Sequence, residues 1–226
     1  MRKIDVVIPT RGRIGKLHKA LDSIPSHVGK VEINIIVISD GDPETAEEMI
    51  RVRDDVAYCL YVKGHHGSVF CRNLVTPFCE DMILYATDDI TFKPGSIASA
   101  TEALLEGFPD GDAVIGFFQE NAPNRKFNPA GGGLMGPRFA KRYPGRKIFY
   151  PRYFHFSCQE ILWLAQKYDK FTLDEGARLY HFHPAFYPDL KDQCHDDARI
   201  HRKADHDLIK KRKAEGKIWG CHSGGA

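Results

Sequence analysis

An α/β domain on a mostly parallel central sheet, with helices on both faces, is the fold class that this sequence predicts. Three observations carry it. Short apolar runs rich in β-branched residues alternate with stretches of helical period over residues 4–118, in the order β-α-β-α-β-α-β-α-β. A helix between successive strands supplies the crossover that parallel pairing needs, which puts helices on both faces of the sheet. Two of the runs stop abruptly at carboxylates, one at Asp40 and one at Asp88-Asp89, and the carboxyl edge of an open α/β sheet is where ligands bind.

The elements follow in order. Residues 4–8 form a short apolar strand closed by Pro9, and Thr10-Arg11-Gly12-Arg13 is a loop with two cations. Ile14, Leu17, Leu21 and Ile24 then share one helical face, which ends at Pro25. Residues 33–38 are a second strand, ending at Ser39-Asp40-Gly41-Asp42; Pro43 opens a helix whose early glutamates suit its dipole. Residues 56–62 read as a third strand and 69–75 as a short helix bearing Arg72 and Asn73. The run from Ile83 to Asp88-Asp89 is the fourth strand, 97–108 an amphipathic helix and 113–118 the fifth strand. Residues 121–146, rich in Gly, Pro and cations, read as a long loop or short hairpin. Helical period resumes at 159–168, 178–182 reads as a short strand, and 192–215 as a charged amphipathic helix, with a mobile tail from Gly220.

A chain of 226 residues, 42% hydrophobic and 27% charged, suits one core domain with a small appendage. The boundary is placed at residue 190: a domain at 1–190, then a charged helix and tail at 191–226. A net charge of +2 argues neither for nor against nucleic acid. No apolar run approaches the ~18–20 residues of a membrane span. The start of the chain reads as a first strand, not a signal peptide. Six cysteines without a Cys-x-x-Cys pair point to a reduced, cytoplasmic protein. The set Cys194, His195, His201, His206, Cys221 and His222 matches no standard zinc spacing.

Adjacent carboxylates at a sheet edge repel each other unless a cation lies close. Mg²⁺ and Mn²⁺ are typically held by one or two carboxylates together with substrate phosphates. Asp88-Asp89 is therefore a candidate metal–diphosphate site.

The order of these features resembles the GT-A-fold glycosyltransferases of the large family-2 type. The resemblance rests on Val-Val-Ile-Pro-Thr at 6–10, Val-Ile-Ser-Asp-Gly-Asp at 37–42, Gly67, Arg72-Asn73, Thr-Asp-Asp at 87–89 with Pro94, Gln159-Glu160, and Tyr-His-Phe-His-Pro at 180–184. It covers residues 4 to about 184 and implies a Rossmann-like GT-A domain with a C-terminal helical extension. It implies an inverting, metal-dependent transfer from a nucleotide-diphosphate sugar, with a UDP-sugar favoured. Thr10, Arg11, Arg13, Asp40, Arg72 and Asp88 would then hold the donor. Asp40 would accept from the base, the arginines would meet base or diphosphate, and Asp88 would face ribose or sugar. Asp89 would ligate Mn²⁺ or Mg²⁺, with His181 or His183 completing the set. Because Thr87 stands where the family often has another acid, that distant histidine is needed. Glu160, at a helix start below the fifth strand, would be the base that takes the acceptor hydroxyl's proton. Ser157 gives Glu160 a competing role in a capping box.

Glycines 131–133 and Gly136 allow close backbone approach near the donor sugar but form no phosphate loop. Cations at 138–147, with Phe139, Tyr143, Phe149 and Tyr150 between them, suit either an anchored loop or a nucleic-acid acceptor. The acceptor stays open between a glycan, a lipid-linked sugar, a protein and a modified DNA base, as does the oligomeric state. A nucleotidyltransferase would need a richer Gly/Arg/Lys loop after the first strand than Thr10-Arg11-Gly12-Arg13. A non-catalytic module binding DNA or a protein partner is the third class.

Overall fold

The computed structural model describes residues 2–122, 132–155, 158–184 and 187–221. Gly131, Ser157, Phe186, His222 and the end of the tail lie outside the described residues. The elements run β1 (Lys3–Thr10), α1 (Ile14–Asp22), β2 (His27–Val28), β3 (Val31–Asp40), α2 (Pro43–Val52), β4 (Val56–Val62), α3 (Ser68–Val75), β5 (Met82–Ala86), β6 (Ile90–Phe92), α4 (Ser96–Gly107), β7 (Val114–Gln119), β8 (Gly132–Met135), α5 (Pro137–Ala140), α6 (Cys158–Lys167), β9 (Phe171–His181) and α7 (Gln193–Ala214). Among the described residues, no helix is long and apolar enough to cross a membrane.

All strands join one mixed sheet in the order β2-β3-β1-β5-β8-β7-β9-β6, with β4 beside β3. Strands β4, β3, β1 and β5 are mutually parallel, so Asp40, Thr10 and Ala86 end on the same edge. Beyond β5 the sheet changes character. β8 pairs antiparallel with both β5 and β7, while β7 and β9 are parallel. β8 lies inside the stretch that reads as a loop from sequence. Its glycines hide it from a propensity reading, but Gly133 faces the Tyr85 ring so closely that a Cβ would collide with it. β6 and β9 pair antiparallel, with Ile90 opposite His181, and β9 begins at Phe171, well before the expected 178.

The side-chain alternation of the strands sorts the core into two layers. Ile4, Val6 and Ile8 of β1 face one way and pack with Leu17 and Leu21 of α1, Met49 of α2 and Leu104 of α4. Val7 faces the other way, with Val69 and Val75 of α3 and Ile161 and Leu164 of α6. α2 is closed at its start by Asp42, whose carboxylate accepts from Thr45 N at 3.2 Å, with Pro43 in the first turn.

Candidate active site

Three loops meet at the carboxyl edge of the parallel strands. Gly12 N donates to Asp42 Oδ2 at 2.8 Å, which ties the loop after β1 to the loop after β3. Gly41, at φ +70°, packs against the Gly64 carbonyl where a side chain would not fit. Asp40 is buried, and its carboxylate accepts from His66 N at 2.9 Å and Gly67 N at 2.8 Å. Arg11 Nη1 donates to the Asp40 carbonyl at 2.7 Å. Asp40 thus shapes the loop at 63–67 and also lines the cleft.

Asp88 and Asp89 follow β5, both buried. The cation between them is Arg13. Its Nη1 donates to Asp88 Oδ1 at 2.9 Å and lies 3.5 Å from Asp89 Oδ2. Thr10 Oγ1 donates to Asp88 Oδ2 at 2.8 Å. Burial works against the charge on Arg13, but Asp88 and Asp89 outweigh it and hold the guanidinium firmly protonated. Burial also pushes Asp88 up. Asp89 keeps its negative charge despite burial because His181 and His195 face it.

His181 reaches Asp89 through strand pairing. β6 starts one residue after Asp89 and sets Ile90 opposite His181, and Phe182 N donates to the Asp89 carbonyl at 2.7 Å. His181 Nε2 then lies 3.4 Å from Asp89 Oδ1. Two ligands about 2.1 Å from one octahedral ion stand roughly 3 Å apart, so this pair fits a shared Mn²⁺ or Mg²⁺ with small adjustment. Among the described residues, no group of three or more His, Cys, Asp or Glu could hold a metal by itself. An ion here would draw its other ligands from water and a diphosphate. His183 sits ring to ring with His181 at 5.3 Å, and burial keeps it neutral by lowering its pKa to about 4.

Arg72 on α3 is 2% exposed. Its Nη2 donates to the Ala86 carbonyl at 2.6 Å, and it has no ion-pair partner among the described residues. Burial lowers its pKa. The Nε of Arg72 and the Nε of Arg13 are both buried without a hydrogen-bond partner among the described residues. A buried donor left unpaired costs about 1–3 kcal/mol. Both arginines line the cleft, so an acceptor-rich anion could satisfy them.

The last helix forms one wall of this cleft, which sequence reasoning did not foresee. Asp192 caps α7 and accepts from Arg13 Nη2 at 3.0 Å and Lys16 Nζ at 2.5 Å. Burial tends to raise Asp192, but Lys16 and Arg13 push it down to about 2. His195 Nε2 lies 3.9 Å from Asp89 Oδ2, and the ring packs on Arg13. Farther along, the Asp205 carboxylate accepts from Phe154 N and His155 N at 3.0 and 2.8 Å. The sequence offers little hint of this docking: Asp205 is one of four aspartates in a mixed-charge helix, and Asp192 precedes that helix as an ordinary N-cap.

Glu160 is not brought to the cleft. It is 2% exposed on the inner side of α6 and accepts from Arg212 Nε at 2.7 Å, Arg212 Nη2 at 2.9 Å, the Tyr153 hydroxyl at 2.5 Å and Trp219 N at 2.5 Å. It fastens the end of α7 to α6. Its neighbour Gln159 lines the cleft instead, together with His155, which burial lowers to about 4. The cleft encloses about 890 Å³.

No family model and no curated protein matches the sequence. Solved structures do share the fold. S. aureus TarS residues 1–349 matches with a TM-score of 0.63 at 13% identity, over 84% of this chain and 63% of that one, and the same fragment in complex with UDP matches equally. The mannosyltransferase PcManGT from Pyrobaculum calidifontis, in complex with GDP-Man and Mn²⁺, matches at 0.63 and 12% identity, over 88% of this chain and 60% of that one. GalNAc-T7 with UDP, GalNAc and Mn²⁺ matches at 0.60 and 10% identity, over 81% and 44%. The chain thus spans less than two thirds of each. The mixed sheet, the carboxylates at its edge and these matches over most of the chain place it among proteins with the GT-A glycosyltransferase fold.

Proposed function

We propose that this chain is a glycosyltransferase that moves a sugar from a nucleotide-diphosphate sugar, with a UDP-sugar favoured, to an acceptor hydroxyl. The observation that carries the reading is the convergence at one sheet edge of Asp89, His181 and two arginines, Arg13 and Arg72, whose Nε atoms are buried and unbonded among the described residues. Relatives in fold are solved with UDP or GDP-Man and with Mn²⁺.

In this reading Asp89 and His181 hold Mn²⁺ or Mg²⁺. When bound, such an ion supplies positive charge against the charge that builds on the leaving diphosphate. Arg72 binds a phosphate oxygen through its free Nε edge, with Arg13 beside it. Asp88, oriented by Thr10 and Arg13, faces the ribose or sugar. Asp40 has acceptor capacity left after bonding His66 and Gly67, and takes the N–H of a uracil. Arg11, next to Asp40, covers the base. The acceptor oxygen attacks the anomeric carbon, and the bond to the diphosphate breaks with its electron pair on the leaving group. The hydroxyl proton passes to a cleft group other than Glu160, whose oxygens are taken by Arg212, Tyr153 and Trp219. Inversion follows from a single displacement.

The test is a thermal-shift panel of nucleotides and nucleotide-sugars with and without Mn²⁺, followed by a turnover assay on the best donor. Stabilisation should need metal and diphosphate together and vanish in Asp89→Ala. Absence of a shift with every nucleotide would overturn the reading.

A further inference from the structure

We propose that the acceptor is a nucleic acid, bound in a single-stranded or locally unpaired form along the α7 wall of the cleft. The identification as an acceptor rests on the transferase reading; the binding surface itself does not.

Arg199, Arg202, Lys210 and Lys213 all line the cleft from α7 and are exposed. No carboxylate of α7 lines it. Asp192 is bonded to Arg13 and Lys16, Asp196 to Lys191, and Asp205 to the backbone at Phe154 and His155; Asp197 lies 3.7 Å from Arg11 Nε, and Asp207 is exposed outside the cleft lining. A helix this charged usually presents its cations to open solvent, yet here four of them share the side that faces the cleft. A donor diphosphate brings about two negative charges and is met at the Asp89 end by Arg13 and Arg72. The α7 cations are therefore surplus to the donor.

Reach points the same way. Lys213 lies 18 residues along the helix from His195, which is roughly 27 Å at the α-helical rise. A nucleotide-sugar seated at Asp89 cannot span that distance, whereas a phosphodiester chain can. The wall also carries an aromatic face. Trp163 of α6 lines the cleft, with Lys213 Nζ 5.1 Å from its ring centre. Cations tracking a backbone, with an aromatic plane for a base, are the elements of single-strand recognition. Trp163 packs against Lys213 in the free chain, and its half-exposed ring edge adds a surface on which a base can stack. An acceptor hydroxyl must reach the anomeric carbon at the floor of the cleft, which favours a base or sugar that has left the duplex stack.

Fluorescence polarisation with labelled 12-nucleotide single-stranded DNA, the same RNA sequence and a matched duplex tests this between 50 and 200 mM NaCl. Single strands should bind more tightly than duplex. The variant Arg199→Ala/Lys210→Ala/Lys213→Ala should bind at least about tenfold more weakly and lower the salt slope by about 2, at roughly 0.7 per lost phosphate contact. Trp163→Ala, with Trp163→Phe as the conservative control, should weaken oligonucleotide binding about tenfold and leave inorganic polyphosphate binding unchanged. No binding at 50 mM NaCl overturns the proposal, as does binding unaltered in the triple variant. Loss of oligonucleotide and polyphosphate binding together in the triple variant, with no effect of Trp163→Ala, also overturns it in favour of a base-free polyanion. The two readings fail separately. Helix-dependent oligonucleotide binding without nucleotide-and-Mn²⁺ stabilisation refutes the transferase and leaves the surface. Stabilisation by donor and metal without oligonucleotide binding refutes only the acceptor.

Discussion

Substituting Glu160 by Gln distinguishes a base from a structural carboxylate. The group is buried, and its two oxygens serve a bidentate pair with Arg212 as well as Tyr153 and Trp219 N. Arg212 is itself 8% exposed and lies over the Tyr150 ring, its Cζ 3.7 Å from the centroid. Removing one charge from a buried, hydrogen-bonded pair leaves the other uncompensated and costs about 3–5 kcal/mol. For a chain of this length that corresponds to a fall in Tm of roughly 6–20 °C. Urea unfolding of Glu160→Gln, Arg212→Met and the double variant measures it. Each single variant should lose stability, and the double variant should lose less than their sum by about 1–3 kcal/mol, because the second change removes an already orphaned charge. Limited proteolysis should cut the α7 end faster in both singles. Turnover should fall only to the extent that the cleft wall loosens. A Glu160→Gln variant that keeps its urea midpoint and nonetheless loses transfer would refute the structural role of this carboxylate.

Three further outcomes are expected. Mn²⁺ alone should bind weakly and UDP should tighten it, since the protein offers Asp89 and His181 and the diphosphate supplies further ligands; equally tight Mn²⁺ binding without nucleotide, by calorimetry, would contradict this. Arg72→Met should cost about ten- to a hundredfold in donor affinity and lower stability by no more than about 1–3 kcal/mol, because the Ala86 carbonyl loses its donor while a desolvated charge is removed. His155 and His183 have folded pKa values lowered to about 4, so below their ordinary value near 6.5 the unfolded chain binds more protons; stability should fall as pH drops from about 6.5 to 4, then further toward pH 2 as Asp192 protonates and releases Arg13 and Lys16. A flat urea midpoint across that range would contradict the buried placement of these groups.

Features that depend on local pattern are legible in the amino-acid order. Strands β1, β3, β4, β5 and β7 and helices α1 to α4, α6 and α7 are legible because apolar period reports which face of a segment is buried. The gathering of Thr10, Asp40 and Asp88-Asp89 at one edge is legible too, since parallel strands joined by helices put their carboxyl ends together. Tertiary structure decided the rest, because period says that a face is buried but not against what. β8 is a strand only because Gly133 fits under Tyr85, and β6 only because β9 pairs with it. That pairing brings His181 to Asp89 across 92 residues. Arg13 meets Asp192 from 179 residues away, which turns the charged C-terminal helix into a wall of the cleft. Glu160 sits at a helix start, as a base would, yet Arg212, 52 residues later, claims both its oxygens. A carboxylate's role follows from the partner that reaches it, and chain folding rather than chain order chooses that partner.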